Sequence, residues 1–376
     1  MKTRTLLAAL LSAFAAFGFA APAMADDGTT VDFKGFFDVI AGRVLSSPRS
    51  TPDDFNPAIG CPCYLADWAN GGVYDSAWSA RPESHVGIQA DVKFTDRLSF
   101  TAQVTSHAVQ PAPKLEWAYL TYEFAPDWEV QVGRKRIPLY YYSDFQDVGI
   151  AYPWVSPPPE LYGWEVTDYN GANVRYRGKI GSYRATASVF AGQENVYNDR
   201  YYTISSPDST NAGWHAIVGG DLEISKDWLT MRAVYVQANA FSIDAVDQNQ
   251  TDAKVKTYGV AINADFDDWF VLSEFTEDDR TFSTNYEVKA PAYSVGAGYR
   301  YGAWTPFLNW GWYRESTNDL VQYPNPARFS RASLTLRYDL NATTAIKAQY
   351  DVYHEAAISD LTGNSRVFRI SFDKSF

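Results

Sequence analysis

The sequence predicts an all-β fold: a transmembrane antiparallel β-barrel of about sixteen strands, in one domain. Three observations predict it. Short segments alternate apolar and polar residues; tight turns alternate with longer connections; and tryptophans recur just after the tight turns.

The alternation is clearest in His85–Phe94, where Val86, Ile88, Ala90, Val92 and Phe94 share one face. Ser330–Tyr338 and Thr344–Val352 repeat it. Period two over such lengths describes a strand with one apolar face. Segments of this kind start near Val31, Ser84, Leu98, Lys114, Trp128, Gly171, Tyr183, Trp214, Trp228, Val255, Trp269, Ala292, Trp304, Phe329, Thr344 and Arg366. An even count of about this size is usual for single-chain barrels of the bacterial outer membrane. No convincing helical period follows the N-terminal segment.

The connections fall into two classes. Thr95–Arg97, Ala125–Asp127, Gly178–Gly181, Ser225–Asp227, Asp265–Asp268, Gly302–Ala303 and Asp339–Ala342 are short and rich in Asp, Gly, Pro or Asn, as tight turns require. The alternate connections are longer, notably 45–83, 138–170 and 192–213; only the one near Val109–Pro113 is short. Short turns at one end and long loops at the other are what a membrane barrel needs. A soluble sandwich has no reason to alternate this way. Trp128, Trp228 and Trp269 each follow a short turn directly, and Trp304 follows one by two residues. Repetition of one aromatic position suits a girdle at one membrane boundary.

The N-terminus reads as an export signal. Lys2 and Arg4 precede an apolar run, Leu6–Ala21, and Ala23-Met24-Ala25 is a small-x-small cleavage site. Residues 1–25 are therefore expected to be removed, leaving 26–376 as the barrel. No later stretch reaches the roughly 18 apolar residues of a spanning helix. Yet the chain is 16% aromatic, with 26 Tyr, 22 Phe and 12 Trp, at a mean hydropathy of only −0.29. A barrel wall reconciles these values, since half of each strand faces lipid and half faces water. The net charge of −12, more negative once Lys2 and Arg4 are lost, argues against nucleic-acid binding.

The architecture resembles the Gram-negative outer-membrane general porin superfamily, the sixteen-stranded trimeric porins. Three segments carry the resemblance: the alternating last strand Arg366–Phe376 with its terminal Phe, the opening strand Lys34-Gly35-Phe36-Phe37-Asp38, and Gln131-Val132-Gly133-Arg134 before a long segment. The resemblance implies an outer-membrane location and a homotrimer contacting lipid and lipopolysaccharide. It also implies recognition of the strand ending in Phe376 by the barrel-assembly machinery. It makes 138–170 the candidate constriction loop, folded into the barrel. The long connection containing Cys61 and Cys63 has no counterpart in the pattern.

With apolar residues outward, the inward basic residues are Lys135, Arg175, Arg177, Arg184, Arg232, Arg300, Arg331, Arg337, Lys347 and Arg369. Arg134 and Arg136 have the opposite parity, which a bulge at Gly133 would change. The candidate loop supplies the acids Asp144, Asp147, Glu160 and Glu165. Opposed charges across a narrow water-filled gap set up a transverse field that sorts solutes. The expectation is passive diffusion of small hydrophilic solutes with a weak anion preference. For any single arginine, a merely solvated wall residue is the simpler reading. The loop's rings, Tyr140, Tyr141, Tyr142, Tyr152, Trp154, Tyr162 and Trp164, allow two readings: a self-packed loop core, or a stacking surface selective for sugars or organic anions.

No catalytic motif, cofactor or metal set is evident. The four histidines, His85, His107, His215 and His354, lie apart, although His107 and His354 both fall near the long-loop end. An outer-membrane hydrolase barrel, usually smaller, would need a Ser/His or Asp/His pair at one rim; a non-porous envelope scaffold would need none. Cys61-Pro62-Cys63 allows a disulfide, and no further Cys or His in its loop suggests a metal site.

Overall fold

The computed structural model describes residues 28–47, 61–205, 208–356 and 363–376, and the backbone of Ala23–Met24. The remainder of the expected signal peptide, 1–22 and Ala25, lies outside the described residues. Among the described residues, sixteen antiparallel strands close into one barrel. They are β1 (Thr30–Ser46), β2 (His85–Lys93), β3 (Leu98–His107), β4 (Gln110–Ala125), β5 (Trp128–Arg136), β6 (Asp168–Ile180), β7 (Tyr183–Val196) and β8 (Thr210–Lys226). Then follow β9 (Leu229–Asp244), β10 (Gln250–Phe266), β11 (Trp269–Phe282), β12 (Glu287–Tyr299), β13 (Trp304–Arg314), β14 (Arg328–Asn341), β15 (Thr344–Glu355) and β16 (Ser365–Ser375). Each strand pairs with its sequence neighbours, and β16 pairs with β1, so no edge of the wall is left open.

All sixteen expected segments are strands. Several start earlier than the alternation suggests: β8 at Thr210 rather than Trp214, β10 at Gln250 rather than Val255, β12 at Glu287 rather than Ala292. The extension of β12 alternates, with Val288 and Ala290 buried and Pro291 inside it, whereas that of β10 is polar, Gln250-Thr251-Asp252. Above the lipid there is no apolar face to mark, while the hydrogen-bond ladder continues.

The short turns work through Asp and Gly. Asp127, Asp227 and Asp267 have φ of 66°, 51° and 62°, and Gly181 and Gly302 have 62° and 59°. Asp tolerates this left-handed region better than most side chains. Trp128, Trp228, Trp269 and Trp304 stand beside these turns, 44%, 49%, 59% and 45% exposed, and form the expected girdle.

Closure depends on the terminal residue. The Gly35 amide donates to the Phe376 carbonyl at 2.8 Å and Phe376 N–H returns the bond at 2.9 Å. The Phe376 ring lies over Gly35, where an added Cβ would meet it at 2.5 Å.

Outside the wall, Tyr64–Asp67 and Gly72–Tyr74 form a hairpin in the first long connection. Cys61 and Cys63 beside it are disulfide-bonded to each other. Described helical structure is confined to the single turns Ser143–Phe145, Gly149–Ala151 and Tyr201–Ile204.

Candidate functional site

The connection between β5 and β6, residues 137–167, enters the barrel and docks on inward-facing groups of the wall. Main-chain groups make much of the contact. Arg337 donates to the carbonyls of Ile150 and Tyr152, both at 2.9 Å. Lys347 donates to Gly149 O at 2.7 Å and Trp154 O at 2.5 Å. Arg232 donates to the carbonyls of Tyr140 and Pro138. In return Gly149 N–H donates to Asp38 at 3.1 Å, Val155 N–H to Gln349 at 2.9 Å and Tyr141 N–H to Glu274 at 2.7 Å. A loop inside a barrel carries backbone groups that water no longer serves, and these wall side chains serve them.

Buried ion pairs complete the docking. Arg331 binds Glu160 at 2.7 Å and Asp351 at 2.7 Å, all three side chains being 0% exposed. Arg369 binds Asp351 at 2.9 Å and Glu83 at 2.6 Å. Lys347 binds Asp373 at 3.0 Å. Glu165 accepts from Trp214 Nε1 at 3.2 Å and pairs with Arg280 at 3.1 Å. Asp147 pairs with Arg136 at 2.7 Å.

The expected basic residues therefore divide. Arg232, Arg331, Arg337, Lys347 and Arg369 face inward as alternation requires, but they hold the loop. Arg331, Lys347 and Arg369 are sealed from water, so they do not line an open pore. Arg300 lies near the short-turn end, paired with Asp265 at 2.7 Å. Arg177 and Arg184 are exposed, whereas Arg175 is half-buried; Glu129 pairs with Arg175 at 3.9 Å and with Arg177 at 3.5 Å. Lys135 hydrogen-bonds Gln131, on its own face, and its Nζ lies 4.6 Å from the Tyr119 ring centroid.

The acids divide too. Asp147, Glu160 and Glu165 are spent in the pairs above, which removes them from the expected field. Asp144 is exposed on the turn Ser143–Phe145. It interacts electrostatically with Lys135 on the wall, where Arg175 and Glu129 are neighbours. Arg134 is committed as well, to Glu194 at 2.6 Å and Asp168 at 3.3 Å. These partners, with Glu83, Glu274 and Asp351, were not among the expected residues; no local pattern marks them.

The loop's rings form its core. Tyr140 packs on Tyr162 with centroids 4.4 Å apart, and Trp154 meets Tyr142 at 5.7 Å and wall residue Phe307 at 5.3 Å. Tyr140, Tyr152, Trp154 and Trp164 are buried, while Tyr141, Tyr142 and Tyr162 are half-buried. Along β11–β14 the loop separates a cavity of about 240 Å³ on the long-loop side from one of about 460 Å³ on the short-turn side. Between them, at Tyr142, Trp154, Tyr162 and Glu274, only about 10 Å³ is open.

In the connection between β7 and β8, burial pushes the Asp199 carboxyl up to about 7. One of its oxygens accepts from Tyr201 N–H at 3.0 Å.

His107 and His354 do not share a site. His107 stacks on His85 with centroids 5.1 Å apart, and His354 meets Asn364 at 3.0 Å. His107, Glu116 and Asp147 cluster closely enough for a cation, but Arg136 binds both carboxylates, at 2.9 and 2.7 Å.

A closed sixteen-stranded barrel with short turns at one end, an aromatic girdle and a loop docked in its lumen defines an outer-membrane channel fold. The chain belongs to the Gram-negative porin family, which it matches over residues 8–356, and its location is the outer membrane. No curated protein matches it by sequence. Among solved structures, OmpT of Vibrio cholerae aligns at TM-score 0.61 with 11% identity, over 95% of this chain and 100% of that one. The outer membrane channel DcaP of Acinetobacter baumannii aligns at 0.60 with 12% identity, over 95% and 100%. The anion-selective porin of Comamonas acidovorans aligns at 0.58 with 12% identity, over 93% and 100%.

Proposed function

We propose that the chain forms a water-filled channel for passive diffusion of small hydrophilic solutes, assembled as a homotrimer through its wall, with a weak anion preference. Residues 137–167 act as its constriction, and it is not an enzyme. One observation carries the selectivity: exposed Asp144 on the loop opposes Lys135 and Arg175 on the wall, while the other expected loop acids are consumed in buried pairs. A field across a confined gap with low-dielectric walls is focused, whereas rim charges are screened within about 10 Å at 0.1 M salt. Lys135, Arg175, Arg177 and Arg184 lie on that side against Asp144, Glu129 and Asp221, and Asp221 is itself held by Arg232 at 3.5 Å, so the anion preference is weak. A trimeric form of Vibrio cholerae OmpT and the anion selectivity of the Comamonas acidovorans porin support the same reading. The Asp–His contacts, His85 with Asp38 at 2.9 Å and His107 with Asp147 at 3.9 Å, are buried against the docked loop, which weighs against a hydrolase.

Reversal potentials across a salt gradient test this. Asp144→Asn should raise the anion preference, and Lys135→Gln with Arg175→Gln should lower it. A strong cation preference, unmoved by either change, would refute it.

A further inference from the structure

The cavity of about 240 Å³ on the long-loop side has a chemistry the diffusion reading does not use. Its walls are unusually aromatic for a water-filled lumen. Trp68 from the hairpin in the first long connection and Tyr201 from the β7–β8 connection lie 6.2 Å apart. Trp68 continues onto Phe329 of β14, nearly parallel at 15°, and Phe329 onto Tyr313 at 5.0 Å. Trp68, Tyr201, Tyr313 and Tyr323 are each only half-buried and line the space. Rings packed for stability alone would be covered; these leave surface facing water.

The carboxylates around the cavity are all engaged. Both Glu160 oxygens accept from Arg331, at 2.7 and 3.1 Å. Asp278 takes Thr257 at 2.8 Å on one oxygen and Arg280 at 2.8 Å on the other. Glu315 accepts the hydroxyls of Tyr313 and Tyr323 at 2.7 and 2.8 Å, and Ala327 N–H at 2.7 Å. Arg280 is held between Glu165 and Asp278, with its guanidinium 4.6 Å from the Trp164 ring centroid. An organic anion would meet a rim with more carboxylates than cations, and an organic cation would have to displace Arg280, Arg331 or a Tyr hydroxyl from the carboxylate it holds. Apolar ring faces combined with a rim of engaged, orientable hydrogen-bonding groups suit a neutral ligand having one apolar face and a hydroxyl edge. A pyranose ring has that form.

We infer that the cavity bounded by Trp68, Tyr201, Tyr313 and Tyr323 is a binding site for neutral pyranosides on their way to the constriction. This deepens the channel reading and rests on it for transport, but binding itself does not require conduction. The site is built from distant parts of the chain. The hairpin carrying Trp68 packs on Gly163 of the docked loop, where a Cβ would meet the Trp68 Cβ at 2.7 Å, so the constriction and the site share a wall.

The test is calorimetric titration of the full chain in a detergent without a sugar headgroup, with maltose as the probe. Sorbitol has comparable hydroxyls but no ring face; benzoate and benzyltrimethylammonium supply a ring with either charge. Saturable maltose binding, with sorbitol inert and both ions weaker, is the expected result. Tyr201→Leu and Trp68→Leu should each weaken maltose roughly fivefold. No maltose binding, equal binding of sorbitol, stronger binding of either ion, or full affinity in both variants would overturn the assignment. Conductance of the parent chain without sugar is measured separately, so loss of the channel reading and loss of the site give different results.

Discussion

Arg331→Gln should release the docked loop. Arg331 is fully buried and bonds both Glu160 oxygens and one Asp351 oxygen. Asp351 keeps a second cation, Arg369, at 2.9 and 3.1 Å. Glu160 has no second cation among the described residues, so the substitution leaves a buried carboxylate beside a neutral amide. Removing one partner of a buried pair costs about 3–5 kcal/mol. If that cost falls on docking, the undocked population rises by about 10²–10⁴-fold. Residues 137–167 contain no Lys or Arg, so trypsin cannot cut there, but they are rich in Tyr, Trp and Phe. Chymotrypsin nicking in detergent therefore reports undocking, because cleavage follows the open population when reclosing is fast. Arg331→Gln should be nicked within 137–167 far faster than the parent. Arg331→Met with Glu160→Met should be close to the parent, since nothing charged is left unpaired. Equal resistance of Arg331→Gln and parent would refute the view that this pair pins the loop.

Three further outcomes follow from the same structure. Deleting Phe376 removes both hydrogen bonds to Gly35 and should lower the yield of heat-modifiable, folded barrel on electrophoresis; an unchanged yield would count against the closure role. Val189 is exposed to lipid midway along β7, so Val189→Arg should cost about 2–4 kcal/mol in denaturant titration, with Val189→Leu near neutral. The raised Asp199 carboxyl favours its neutral form in the folded state. Its stabilising contribution is complete below the ordinary carboxylate range, fades as pH rises toward 7, and is gone above that. Proteolysis of the β7–β8 connection should increase over that window and lose most of its pH dependence in Asp199→Asn; a flat parent profile would contradict the burial argument.

The wall was legible because its signals are local. Val86, Ile88, Ala90 and Val92 mark a face within one segment, and Asp127 beside Trp128 marks a turn and a membrane boundary together. The docked loop was only half legible. Its position after β5 and its wealth of rings could be read, but not which charges would survive to face water. Arg331 meets Glu160 across 171 residues and Arg369 meets Glu83 across 286, and no spacing rule reaches that far. Parity put Arg331 and Arg177 in one class because both face inward. Burial separates them, and burial depends on where the loop lands. The extension of β10 was missed because polar residues above the lipid carry no alternation while their backbone still pairs; that of β12 alternates, but Pro291 inside it reads as a loop residue.

The most direct test of the account is single-channel conductance of the purified mature chain in planar bilayers. The account predicts stepwise, ohmic conductance that scales with bulk salt conductivity, from openings that need no ligand. A correctly folded, inserted barrel that produces no steps would contradict the channel.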